Sequence, residues 1–163
     1  AFGSGNADLD RFLVRYAGQN QFRHAIGTTW IAVDAGRILG YVTVAPTQIT
    51  VTDLPEDRRA GLPRYPVPAL RLARLAVDAQ ARGLGVGSRL VRATLGLALA
   101  MREQVGCWAV VVDAKPEAVG FYTQLGFAPL TVVEGASGER PAPTPLFLSL
   151  ADLLAASAPH EGE

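Results

Sequence analysis

The sequence predicts an α/β or α+β fold built on a mixed sheet. Three observations predict it. Short apolar runs with strand character alternate along the chain with stretches of helical periodicity. The run Trp108 to Val112 is apolar throughout, as a central strand buried on both faces requires. Between them lies Gln80-Ala81-Arg82-Gly83-Leu84-Gly85-Val86-Gly87, a glycine-rich turn that joins a strand to a long helix.

At 163 residues, 49 % apolar and 18 % charged, the chain has the size and composition of one globular domain with a sizeable core. The expected organisation is a single domain over residues 1–163, with 156–163 as a frayed tail. No apolar run is long enough to span a membrane, and no secretory leader is visible, so a cytoplasmic protein is expected. Cys107 is the only cysteine, which excludes an intrachain disulfide. With only His24 and His160 and no Cys/His cluster, no metal site is expected.

The elements follow in order. Leu9, Phe12, Leu13 and Tyr16 recur at i, i+3, i+4 and i+7, one face of a first helix. Asp8 and Asp10 stand in its first turn, where carboxylates suit the helix dipole, and Arg11 and Arg15 occupy its other face. Thr28 to Val33 and Ile38 to Ala45 read as strands around a hairpin turn at Asp34-Ala35-Gly36-Arg37. Residues 46–68, with five prolines, form an irregular connection with short helical turns. Ala69 to Val77 is a strand. Gly85 to Gln104 is a helix, with Val86, Leu90, Ala93, Leu97 and Met101 on one face. After the central strand come a helix over Glu117 to Leu125 and a strand over Phe127 to Val133. A polar loop over Glu134 to Pro145 then leads to a last strand over Leu146 to Leu150 and a small, polar tail from Ala155.

Glycines at the hand-over from strand to helix let the main chain turn tightly and let an anion approach its N–H groups. The orphan N–H groups of the helix start then hold phosphate with help from the dipole. The pattern is neither the dinucleotide fingerprint nor a P-loop, since the glycine spacing is narrower and no Gly-Lys-Ser/Thr follows. A tight turn without a ligand would use the same residues.

Together with Gln80, Gly83 and Gly85, the order of elements resembles the GNAT N-acetyltransferase superfamily, whose acetyl-CoA signature is Q/R-x-x-G-x-G/A. The resemblance implies an α/β (α+β) GNAT fold, with a mixed, mostly antiparallel central sheet that is flanked by helices and splays at the acetyl-CoA site, and acetyl-CoA as cosubstrate. Free backbone groups of Leu75, Ala76 and Val77 would pair with the pantetheine arm. Gln80, Arg82, Gly83, Leu84, Gly85, Val86, Gly87 and Ser88 would hold the diphosphate, with Lys115 also on the cofactor and Arg89 adding charge. Such folds usually begin with a strand before the first helix, whereas seven residues precede Asp8 here.

Tyr122, in Ala118-Val119-Gly120-Phe121-Tyr122, falls where many GNAT enzymes carry a tyrosine that protonates the leaving CoA thiolate. A phenol near pKa 10 and a thiol near about 8.5 make that transfer close to balanced. The alternative role is a core tyrosine under the next strand, which Phe121 and Phe127 fit better because only Tyr122 carries a polar handle.

A closer likeness runs along nearly the whole chain. Phe2-Gly3-Ser4-Gly5, Leu9-Asp10-Arg11-Phe12-Leu13, Gln19-Asn20-Gln21, Leu62-Pro63-Arg64-Tyr65-Pro66, Arg74-Leu75-Ala76-Val77-Asp78 and Asp113-Ala114-Lys115 look like the tRNA-acetylating toxins of type II toxin–antitoxin modules. The likeness implies acetylation of the α-amino group of aminoacyl-tRNA, translation inhibition, and neutralisation by a ribbon–helix–helix antitoxin. That amine, with a pKa near about 8 or below, needs little help to lose its proton; water, Asp53 or Glu103 are candidate bases.

A net charge of zero hides an asymmetry. Residues 1–92 hold 12 Arg against 7 acidic residues, and residues 93–163 carry the opposite imbalance. Arg11, Arg15, Arg23 and His24, with Arg58, Arg59 and Arg64, are the candidates for tracking tRNA phosphates, although surface arginines solvated for their own sake give the same pattern. An acceptor that is a small amine or a protein N-terminus remains the alternative enzyme, and a non-catalytic CoA-binding module the alternative of another class. Monomer and homodimer stay open.

Overall fold

The structure, a computed structural model, describes residues 1–131 and 142–157. The last two residues expected in the strand over Phe127 to Val133, most of the loop over Glu134 to Pro145 and the end of the tail lie outside the described residues. The described strands, β1 (Thr28–Asp34), β2 (Arg37–Ile49), β3 (Val67–Val77), β4 (Ala109–Ala114), β5 (Ala128–Pro129) and β6 (Thr144–Ser149), form one mixed, mostly antiparallel six-stranded sheet in the order β1-β2-β3-β4-β6-β5, flanked by helices. The chain divides into two compact units. One comprises Ala1–Pro46 and Arg71–Leu97, the other Thr47–Leu70 and Ala98–Glu163.

In the first unit, helix α1 (Ala7–Arg11) starts at Asn6, whose side chain accepts from the N–H groups of Asp8 and Leu9. The winding then changes. Phe12–Tyr16 and Gln19–His24 are π-helical, and the Ala17 N–H reaches the Phe12 carbonyl five residues back. The extra residue per turn rotates the apolar stripe. Phe12 and Ala17, five apart, are buried, while Tyr16, expected on the buried face at i+7, is 46 % exposed. The segment ends at Ala25 in the left-handed region.

Strands β1 (Thr28–Asp34) and β2 (Arg37–Ile49) form the expected hairpin, with β2 running beyond the expected Ala45. Ala35 and Gly36 both have positive φ, 48° and 78°, as a two-residue type I′ turn requires. Ala32 pairs with Gly40 and Val33 with Ile38, so Leu39 is an extra residue on β2. Its carbonyl accepts the N–H of Asp78 at 2.8 Å, which ties the bulge to the end of β3 (Val67–Val77). A Cβ on Gly40 would stand 2.8 Å from the Ala76 carbonyl and about as close to Val86 and Leu90, so only glycine allows this approach.

Helix α2 (Val86–Gln104) has the expected length, but its buried stripe is Val86, Leu90, Val91, Thr94, Leu95 and Ala98. Ala93 is exposed and Leu97 and Met101 are partly buried. The single stripe drawn from alternate turns missed the neighbouring ridge, because a helix covered by a sheet buries a broad face. Thr94 joins that face by turning its hydroxyl to the Leu90 carbonyl at 3.0 Å.

In the second unit, short 3₁₀ turns at Val51–Asp53 and Glu56–Arg58 occupy the Pro-rich connection. Strand β4 (Ala109–Ala114) lies between β3 and β6 (Thr144–Ser149) and pairs antiparallel with β6 from Ala109↔Ser149 to Ala114↔Thr144. The core joins Ile49, Leu54, Val67, Ala69, Ala109, Val111 and Phe147, with Trp108 stacked on Phe147 at 5.9 Å. A 3₁₀ turn at Pro116–Ala118 leads into α3 (Val119–Gln124). β5 is only Ala128–Pro129, so the strand expected from Phe127 is much shorter within the described residues. Leu150 does not end β6. It begins α4 (Leu150–Ser157), with the Ser149 hydroxyl accepting the Asp152 N–H at 3.1 Å. The expected tail from Ala155 is therefore helical as far as Ser157.

Among the described residues no helix is long and apolar enough to cross a membrane, and no group of three or more His, Cys, Asp or Glu could hold a metal ion.

Candidate active site

The glycine turn of the first unit is built from an aspartate upward. Asp78 follows β3 and is buried, and its carboxylate accepts the N–H of Gln80 at 2.9 Å and of Gly3 at 3.1 Å, capping the 3₁₀ turn Ala79–Ala81. These backbone bonds, followed by the Arg37 guanidinium, hold the Asp78 carboxyl below the usual carboxylate range. The Ala79 N–H donates to the Gly3 carbonyl at 2.8 Å, so the N-terminal segment lies along the turn. Ser4 in that segment donates from N and Oγ to Asp10 at 3.0 and 2.6 Å.

From Arg82 to Gly85 the chain is exposed, Leu84 included, and Gly83 and Gly85 sit at φ +78° and +77°. A Cβ at either glycine would meet nothing within 4 Å; the demand for glycine there is conformational. The first bond of α2 runs from the Arg89 N–H to the Gly85 carbonyl at 3.1 Å. The N–H groups of Val86, Gly87 and Ser88 therefore precede the helix's own ladder, which is the arrangement that receives an anion. The Arg82 guanidinium is turned to the Ser4 carbonyl, so its side chain braces the turn. Leu75 and Val77, which flank buried Ala76, are partly exposed at the end of β3.

In the second unit Tyr122 is 5 % exposed, its ring edge-on to Phe121 at 5.0 Å and to Phe127 at 5.5 Å. The α3 end is closed by the Leu125 and Phe127 N–H groups on the Tyr122 carbonyl. No buried side-chain oxygen or nitrogen among the described residues lacks a partner. Burial pushes the phenol up to about 12, so the near balance with a thiol expected from ordinary values does not hold for this enclosed phenol. Lys115 is exposed, just ahead of the turn at Pro116–Ala118. Glu103 is exposed in the last turn of α2, and the Asp53 carbonyl accepts the Thr131 N–H at 2.6 Å.

The basic residues divide. Arg11, Arg15, Arg23 and His24 are exposed along the first helical segment, Arg11 within 3.6 Å of Asp8. Arg64 is also exposed. Arg58 is paired with Asp152 and lies over the Phe147 ring, and Arg59 donates to the carbonyls of Leu54 and Thr52 at 2.8 and 3.0 Å. These two hold the Pro-rich connection together and have fewer donors left for RNA.

Sequence reasoning missed Arg37, Asp78 and Arg74 as supports. Arg37 bridges Asp78 and Gln80. Arg74 lies 3.8 Å over the Phe12 ring. Phe12 in turn stacks on buried Tyr41, whose hydroxyl donates to the Leu9 carbonyl at 2.7 Å. Asp78 had a local signal, an Asp two residues before the N–H it caps; the arginines had none, since their partners are distant in sequence.

Comparison with known proteins agrees with this anatomy. Residues 25–129 match the model of the Acetyltransferase (GNAT) domain. A tRNA-acetylating toxin of Mycobacterium tuberculosis (strain ATCC 25618 / H37Rv) is 32 % identical over 128 residues, 78 % of this chain and 76 % of that protein. AtaT complexed with acetyl-methionyl-tRNAfMet superposes with a TM-score of 0.83 at 26 % identity, over 96 % of this chain and 90 % of that one. A Tyr-to-Phe variant of AtaT, bound to the C-terminus of the antitoxin AtaR and acetyl-CoA, gives a TM-score of 0.75 at 25 % identity, over 96 % and 89 %. With a glycine turn ahead of the long helix and a family match across most of its length, the chain belongs to the GNAT acetyltransferases and resembles the tRNA-acetylating toxins among them.

Proposed function

We propose that this acetyltransferase transfers the acetyl group of acetyl-CoA to the α-amino group of aminoacyl-tRNA and thereby blocks translation. The observation that carries the reading is the likeness to a tRNA-acetylating toxin over more than three quarters of both chains. The exposed basic residues of the first helical segment support it as a phosphate-facing set.

The chemistry follows from the residues. The backbone N–H groups from Gly83 to Ser88 receive the diphosphate, and the end of β3 at Leu75–Val77 receives the pantetheine arm. A neutral amine attacks the thioester carbonyl, whose developing oxyanion is met by a main-chain N–H near Leu75 or Ala76. The ammonium proton passes to water. As the tetrahedral adduct collapses, the C–S bond breaks, Tyr122 donates its proton to the sulfur, and the phenolate left behind takes a proton back from water. At about 12 the phenol is fully protonated at neutral pH. Its acidity is weaker than that of a thiol near about 8.5, so the collapse of the adduct drives the transfer. The active protein is held silent by an antitoxin partner of the ribbon–helix–helix kind.

The test is transfer from labelled acetyl-CoA to a pool of charged tRNA, beside deacylated tRNA and free amines. Label on charged tRNA alone is the expected result. Label on free amines alone moves the protein to the small-molecule class, and binding of acetyl-CoA without any transfer makes it a non-catalytic module.

A further inference from the structure

Arg37 sits directly after the turn of a hairpin, more than forty residues before the acetyl-CoA signature, yet one of its nitrogens serves both ends of that signature's support. Arg37 Nη2 donates to Gln80 Oε1 at 2.7 Å and to Asp78 Oδ1 at 3.0 Å. Asp78 is only 3 % exposed and is also held by the N–H groups of Gly3 and Gln80, so it is a fixed anchor. Behind Arg37 the two-residue turn at Ala35 and Gly36 fixes the backbone, and the Leu39 carbonyl receives the Asp78 N–H. The arm that carries the guanidinium is therefore rigid at both ends.

The consequence lies in the Gln80 amide. A guanidinium has donors only, so the amide atom it meets must be oxygen. The amide nitrogen, which only donates, is then the end left over. A diphosphate only accepts, so a Gln80 turned the other way would present oxygen to oxygen. We propose that Arg37 is a positioning residue for acetyl-CoA: held in place by buried Asp78, it sets the Gln80 amide so that its nitrogen faces the diphosphate as a donor. This rests on the reading that the glycine turn holds the diphosphate.

The test is calorimetric titration of acetyl-CoA into the whole chain, with kcat for acetyl transfer and the thermal midpoint measured beside it. Gln80→Glu is the decisive variant. It keeps an oxygen for Arg37 but has no N–H to offer and brings a negative charge toward the diphosphate, so the fold should hold while Kd for acetyl-CoA rises about tenfold or more, with kcat within about twofold. Arg37→Ala should raise Kd similarly, the pair Arg37→Ala with Gln80→Ala no further than Gln80→Ala alone, and Arg37→Lys should recover most of the loss. An unchanged Kd in Gln80→Glu, or effects that simply multiply in the pair, would overturn the proposal. Gly85→Val separates the two readings: if it leaves Kd unaltered, the diphosphate is not on the turn, and the underlying assignment fails rather than the role of Arg37 alone.

Discussion

The glycine turn and the Tyr122 helix achieve opposite things with the main chain. From Arg82 to Gly85 every residue is exposed and two glycines adopt positive φ, so what the turn offers is backbone. At Tyr122 the ring is enclosed by Phe121 and Phe127, and what the helix offers is one side chain held still. A binding turn works by leaving side chains out, whereas a proton donor works by packing one in. The first kind of site should suffer when bulk is added, the second when a single atom is removed.

The largest effect expected is therefore from Tyr122→Phe. On the proposed role, loss of the phenol proton should lower kcat by about a hundredfold or more, with Kd for acetyl-CoA within about twofold. Single-turnover transfer at near-normal rate would remove Tyr122 from the chemistry. The pH profile sharpens the same point. Burial raises this phenol to about 12, so its proton is retained through the neutral range and it imposes no alkaline fall in kcat below about pH 10. The sign for stability follows. The folded state holds the proton more tightly, so this contribution is complete below the ordinary phenol value and drains as pH rises toward about 12. Tyr122→Phe should flatten that part of an alkaline unfolding curve.

Gly85→Val comes next. A branched residue at φ +77° carries about 1–2 kcal/mol of strain. Relief of that strain moves the N–H groups, so weaker acetyl-CoA binding with near-normal kcat is expected by titration and kinetics. A fall in kcat with Kd untouched would erase the contrast between the two regions.

Asp78→Asn probes the base of the turn. Its carboxyl titrates below the usual range because of Gln80, Gly3 and Arg37, so its contribution is present above the ordinary aspartate value and is lost as pH falls through the lowered one. The variant should be less stable at neutral pH and show a flatter acid limb, which circular dichroism against pH would record. The smallest effect, and the opposite sign, is expected for Gly96→Ala. This glycine of α2 has open space where a Cβ would go and no positive φ, so alanine should raise stability by about 0.5–1 kcal/mol with no change in acetyl-CoA binding.

Much of the molecule is legible in the sequence. The turn could be read because its glycines answer to a local φ requirement. The hairpin at Ala35-Gly36 could be read because two residues set its register, and β4 because burial on both faces leaves an unbroken apolar run. Helix α4 was missed although Ser149 and Asp152 stand at capping spacing, because the apolar Leu146–Leu150 run drew the strand one residue too far. The exposure of Tyr16 was beyond periodicity. The change to π winding after Arg11 moves every later residue around the axis, and that winding belongs to the packing of Phe12 against Tyr41 and Arg74.

By itself the sequence determined what depends on neighbours in the chain: most of the elements, their turns, the glycine turn ahead of α2 and the tyrosine on a short helix. The tertiary structure decided what depends on residues far apart. It turned the Arg82 side chain to Ser4, set Arg37 between Asp78 and Gln80, paired Arg58 with Asp152, and enclosed the Tyr122 phenol. The physical reason is common to all four. A hydrogen bond or a desolvation cost is set by the atoms that folding brings within a few ångströms, and no local pattern encodes which those will be.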